Sequence, residues 1–243
     1  MKSVYNRRSA MTAAMALVLA PSGRSMARSA PRVPTLFPRP FAGSRTVTTF
    51  VQELLGHEWL VPIPLARELH IELTRPITQY DSYADEVQRA EVFAWFAIRT
   101  IAPRYLRQAG YGLEAENCER QTSLREGALA AATAQHTIGH DQRVRYDRGG
   151  VRTFAPPEHF AYGASAYACN SAHDPTCFVG MPPTPVEWIA QSGWQCARAL
   201  TQSFASVYDG EEADPVESAW VWDAAVSVIN QAMAVCLQDE VRT

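Results

Sequence analysis

Two histidines four residues apart, His136 and His140, sit at the end of an alanine-rich run, "ALAAATAQHTIGHDQ". On a continuous helix, side chains at i and i+4 leave from one face, close enough for two imidazole nitrogens to share one Zn²⁺. A third ligand would come from Glu158 or His159, 18 and 19 residues beyond His140. Between the histidines stand Thr137, Ile138 and Gly139. Threonine cannot act as a base near neutral pH, and glycine readily adopts the left-handed conformation that ends helices. Whether the two imidazoles share a face therefore depends on where the helix stops. If it stops at Gly139, His136 is simply a last-turn cation favoured by the helix dipole.

The five residues His136-Thr137-Ile138-Gly139-His140 resemble the H-E-x-x-H signature of zinc peptidases, with Thr137 in place of the glutamate that activates the metal-bound water. That departure removes the usual hydrolytic chemistry and leaves metal binding as the open question. A second stretch, "ELHIEL", places Glu72 two residues after His70, with Thr74 where a second histidine would be needed. Chance resemblance around a packed Leu69–Leu73 stripe is the expectation there.

Of the five cysteines, Cys169 and Cys177 flank "NSAHDPT", a turn-forming segment able to bring two Cα atoms within disulfide range. In an oxidising compartment a Cys169–Cys177 bridge is expected. Cys-x₃-His173-x₃-Cys would also suit a metal, but Asp174-Pro175 disfavours the helix that would align the ligands. Cys196 and Cys236 pair with each other or are buried thiols, and Cys118 is left over. Phe160, Tyr162, Tyr167, Trp188 and Trp194 gather near one segment and form a candidate ligand cleft, competing with the plainer reading of aromatic core. Nucleophile elbows, phosphate-binding glycine loops and dinucleotide fingerprints are missing, so no complete catalytic set is present.

The elements that must position these residues are mainly helical. "TTFVQELLG" reads as a short helix closed by Gly56, and "PLARELHIELTR" as one opened by Pro64 and stopped before Pro76. A long helix follows, capped by Asp81 or Ser82, kinked at Pro103 and ended at Gly110. A fourth runs from about Glu114 to Gln135 or a little beyond. Two more open with Thr184-Pro-Val-Glu187 and Asp214-Pro-Val-Glu217, in which a capping side chain, a first-turn proline and an acidic third position agree. Between the fourth helix and this pair, residues 142–183 read as a long irregular insertion with short strands at Val151–Phe154 and Phe160–Cys169. The expected fold is mainly α: a single domain of about six helices, residues 47–243, carrying that insertion.

Ahead of it lie two further segments. Residues 1–27 have a basic start ending in Arg7-Arg8, a weakly apolar block from Ala10 to Ala20, a Pro21-Ser22-Gly23 break and small residues at Ser25 and Ala27. This resembles a twin-arginine export signal cleaved after Ala27, which implies a periplasmic or secreted protein. A mitochondrial presequence, also arginine-rich and acid-free, is the alternative. Residues 28–46 carry four prolines and read as a linker or an extended arm.

Residues 1–52 hold eight basic groups and no acid, so the remaining 191 residues carry a formal charge of −11. That acidic body excludes a nucleic-acid-binding surface, which needs clustered cations. No run is long and apolar enough for a stable membrane span. The expectation is an exported protein that binds a small molecule or a protein, or serves a structural role, without catalysis. The alternative is a zinc-binding protein or degenerate metallohydrolase centred on His136 and His140.

Overall fold

A computed structural model describes residues 36–37, 40–57, 63–147, 158–173, 184–202 and 214–235. The leader, residues 1–27, lies outside them. The described residues form helices α1 (Arg45–Leu55), α2 (Ile63–Thr74), α3 (Tyr83–Phe96), α4 (Ala102–Gln108), α5 (Gly112–Arg120), α6 (Leu124–Asp147), α7 (Glu158–His173), α8 (Pro185–Leu200) and α9 (Pro215–Ala234). A π-helical turn, Ala97–Ile101, joins α3 to α4. No strand occurs among the described residues.

The helix starts follow their capping residues. The Ser44 hydroxyl accepts from Val47 N, and Ser82 with Asp85 forms a reciprocal capping box. Thr184 accepts from Glu187 N at the head of α8, and Asp214 from Val216 N at the head of α9. Glu217 does not turn back to its cap. It reaches Arg104 on α4, 2.6 Å away, and Arg104 in turn stacks on Trp220. Gly110, with φ of 88°, takes the left-handed conformation that a side chain would resist and so stops α4.

Three expectations are corrected. The fourth helix is two, α5 and α6, broken at Gln121–Ser123. Ser123 starts the second by accepting from Glu126 N (3.3 Å) and donating to Glu126 Oε2 (2.9 Å). α6 then runs through Gly139 to Asp147, because that glycine lies inside a helix whose Ile138 is already buried against the core. The 142–183 insertion is not irregular throughout. Its "AYGASAYAC" stretch, expected as a strand, lies in α7, where alanine's helix propensity prevails over the aromatic spacing. Val151–Phe154 lies outside the described residues.

α3 is the central helix, touching α1, α6, α7, α8 and α9. Its inner stripe of Ala90, Phe93 and Ala94 is fully buried and continues through Ala97, Ile98 and Ile101 of the π turn. Part of the proline-rich segment joins this core: Phe37 and Phe41 are buried and meet edge to face.

Two glycines set how closely the helices approach. Gly193 of α8 lies against the backbone of α1; a Cβ there would stand 2.3 Å from the Thr46 carbonyl oxygen. Gly163 of α7 lies against the Gln135 side chain of α6, 2.8 Å from where a Cβ would be. Backbone cannot yield as a flexible amide can. Gly193→Ala is therefore expected to cost about 3 kcal/mol or more, and Gly163→Ala less than about 1 kcal/mol, read as shifts in urea unfolding midpoints. Equal effects of the two would show that the close α1–α8 approach is not limiting.

Candidate functional site

α3 presents one side to solvent, and that side is concave. A cavity of about 530 Å³ is lined by Gln88, Glu91, Val92, Trp95 and Phe96 of α3, by Arg99 and Thr100 of the π turn, and by Gln231 and Val235 from α9 and its end. A second, of about 420 Å³, is lined by Tyr83, Val87, Glu91 and Trp95, with Leu124, Ala172, His173 and Ile189 arriving from α6, α7 and α8. Glu91 and Trp95 belong to both, so the two depressions meet at one helical turn.

The geometry of that turn has a local cause. Pro103 has no N–H to donate back along the helix, and the ladder upstream shifts from i+4 to i+5, with Ala102 N–H bonding to Ala97 O. The buried Ser165 hydroxyl of α7 lies beside this turn, its one proton shared between Ala161 O of its own helix (2.8 Å) and, more distantly, Ala97 O (3.3 Å). The shift leaves Arg99 and Thr100 exposed side by side while Ile98 and Ile101 stay buried. Arg99 lays its guanidinium on the Trp95 indole, 3.9 Å from the ring centre, and donates from Nη2 to the Gln121 carbonyl at the end of α5 (2.8 Å). Among the described residues, neither Arg99 nor Glu91 has an ion-pair partner.

The residues singled out from sequence are placed elsewhere. His136 and His140 do share one side of a continuous helix, but it is the exposed side, opposite the buried stripe of Ala131, Ala134 and Ile138. α7 packs on a different flank, against Gln135. Glu158 and His159 open α7, and their side chains lie outside the described residues. No group of three His, Cys, Asp or Glu side chains able to hold a metal occurs among the described residues. In the second near-match, Glu72 is buried and paired with Arg75, while His70 is exposed.

The aromatic cleft is not assembled as expected. Tyr162 and Trp188 are buried, whereas Tyr167 is 47% exposed. Trp194 faces α1 and donates to Glu53 Oε2 (2.8 Å) with Arg198 stacked on it, and the Phe160 side chain lies outside the described residues. Beside Glu53, His57 is held below the usual imidazole range by burial, partly offset by that carboxylate. Trp95 carried no motif to mark it. Its only signal was the i, i+4, i+8 spacing of Glu91, Trp95 and Arg99.

Cys169 is a free thiol rather than half of a Cys169–Cys177 bridge. α7 carries it into the core, with its sulfur 3.7 Å from the Ala94 carbonyl, whereas Cys177 lies outside the described residues, as does Cys236. Cys118 and Cys196 are free and buried too. No family model, curated protein or solved structure matches the chain. No helix among the described residues is long and apolar enough to cross a membrane.

Burial pushes the Cys118 and Cys169 thiols up to about 12, helped by Glu119 and Glu114 at the first and by Cys118 at the second. Cys196 is raised in the same way by burial and by Cys169. Unfolded, such thiols ionise near 9. The unfolded chain therefore loses protons first, so this contribution to stability is complete below about pH 9 and falls as pH rises towards 12. At pH 8, iodoacetamide is expected to leave Cys118, Cys169 and Cys196 unmodified in the folded protein and to alkylate all three in urea, as peptide mass spectrometry would show. Rapid alkylation of Cys169 without denaturant would contradict its burial.

Proposed function

We propose that the protein is a non-catalytic binding protein of the cell envelope, and that the α3 groove is where it takes a small amphipathic molecule. The observation that carries this is the union of the two depressions at Glu91 and Trp95. Their volumes fall within the range typical of small-molecule sites. An apolar floor of Val92, Trp95 and Phe96 supplies contact area, and a small set of polar groups around it supplies orientation.

The location rests on the leader: Arg7-Arg8, the apolar block and the small residues at Ser25 and Ala27 are those of an exported chain. N-terminal sequencing of the protein from a periplasmic extract is expected to begin at Arg28. Recovery only from the cytosol, with Met1 retained, would contradict export.

Binding is tested by thermal unfolding against a chemically varied panel of small organic molecules, run on the parent protein and on Trp95→Leu. At least one compound is expected to raise the parent midpoint by several degrees at saturation, as a ligand that binds only the folded state must. The rise should vanish in Trp95→Leu, whose own midpoint changes little because the indole is only partly buried. A panel with no effect on the parent, or a rise retained in the variant, would remove the groove as the site.

A further inference from the structure

The larger cavity holds three kinds of hydrogen-bonding group. The Glu91 carboxylate only accepts, the Arg99 guanidinium only donates, and the Thr100 hydroxyl does both. Glu91 and Thr100 have no hydrogen-bond partner among the described residues. Arg99 lays one face on the Trp95 indole and gives one Nη2 hydrogen to Gln121 O, so its plane is fixed. Its other N–H donors have no partner among the described residues, and they form a rigid fork. Glu91 and Arg99 are the charged residues of that cavity's lining, one of each sign. The second depression, reached past Glu91 and Trp95, adds the Tyr83 hydroxyl and the His173 imidazole, both exposed and likewise without a partner among the described residues.

We propose that the groove's ligand is an uncharged saccharide of one or two rings. This rests on the groove being the binding site and names the class of molecule it takes. A ligand of either net charge meets one attractive and one repulsive residue in the same depression. A wholly apolar ligand would cover both charges without giving either a partner, which is costly. A zwitterion needs its two charges at the one separation that the pair presents. Sugar hydroxyls carry no such requirement, because each donates and accepts and they stand on successive ring carbons. Acceptor-only Glu91 and donor-only Arg99 are therefore both served, through hydrogen bonds strengthened by the ionised partner. The C–H groups of the ring supply the apolar side, against Val92, Phe96 and the part of Trp95 that Arg99 leaves uncovered. A rim of oriented polar groups over an apolar floor suits a molecule with a C–H face and a hydroxyl edge. The union of the two depressions gives a second ring room towards Tyr83 and His173.

The test is calorimetric titration with glucose, galactose, mannose, maltose, sucrose and trehalose. Glycine betaine, octanoate and octylamine serve as zwitterionic, anionic and cationic controls. At least one saccharide is expected to bind the parent saturably, and the controls are expected to give no binding. For that saccharide, Glu91→Ala should weaken binding by about tenfold or more. Glu91→Gln should weaken it less, because the amide oxygen still accepts from a hydroxyl. Arg99→Met keeps an apolar cover for Trp95 but has no side-chain N–H, and it should also cost about tenfold or more. Both substituted residues are exposed, and circular dichroism of the variants should match the parent. Failure of every saccharide to bind would overturn the proposal, as would affinity unchanged by Glu91→Ala or Arg99→Met. A loss in Glu91→Gln as large as in Glu91→Ala would also overturn it, since the carboxylate's charge would then be what the ligand reads. If a panel compound or a control binds through Trp95 and no saccharide does, the saccharide is wrong and the groove stands. If nothing binds, both readings fall.

Discussion

A buried carboxylate holds this fold together. Glu86, on α3, is 1% exposed and lies under the first turn of α1. Its Oε2 accepts from Thr46 N (2.8 Å) and Thr46 Oγ1 (2.6 Å), and its Oε1 from Arg45 N (3.1 Å) and Arg89 Nη1 (3.2 Å). The first N–H groups of a helix have no partner within it, and the dipole makes that end attractive to an anion. A tertiary side chain thus completes what Ser44 begins locally. Burying an unpaired carboxylate would cost several kcal/mol, which Arg89 offsets by bridging Glu86 to Asp81. Removing either partner leaves the other charge uncompensated in the interior, which is a larger loss than the pair itself contributes.

Thr46 links that network to the helix packing. Its N–H and hydroxyl hold Glu86, while its carbonyl is the atom against which Gly193 of α8 closes. α1 is therefore gripped from α3 by charge and from α8 by close backbone approach. α3 itself packs on α1, α7, α8 and α9, with Ala90, Phe93 and Ala94 inward and Gln88, Glu91 and Trp95 facing the groove. The π turn then adds Arg99 and Thr100 to the same rim. Pro103 causes the turn but does not determine where it points. That orientation follows from how α3 packs on its neighbours.

Much of this architecture was legible because it rests on local chemistry. Pro64, Ser82, Thr184 and Asp214 act within a turn of their own positions, and each marks a helix start that the structure shows. Ser123-Leu-Arg-Glu126 is equally local, but the alanine-rich run beyond it reads smoothly back into "EAENCER" and hides the start. Other features were not local. Gly139 ends a helix only if nothing favours continuation, and burial of Ile138 favours it. The "AYGASAYAC" stretch lies among aromatics and glycine that suggest a strand, yet it packs between α6 and α8, where small residues let helices approach closely. The disulfide expectation failed for the same reason: once Cys169 is on a core-facing helical stripe, its sulfur is directed towards Ala94.

The histidine pair and the groove differ in a way that explains why the first stood out in the sequence and the second did not. His136 and His140 satisfy a spacing rule on one helix, and a spacing rule can be read directly from the chain. A site needs walls as well as spacing, and among the described residues no third metal-ligating side chain joins this pair. Glu91, Trp95 and Arg99 obey the same i, i+4 rule, on a sequence with no motif to draw attention to it. What distinguishes them is that α9 comes alongside at Gln231 and the end of α7 at His173, turning a helix face into a trough. Those arrivals depend on how α7, α8 and α9 pack on α3, which is long-range information carried by Glu86, Gly193 and the Arg104–Glu217 pair. Chemistry-bearing residues can therefore be proposed from sequence, but choosing among them depends on which ones the packing encloses.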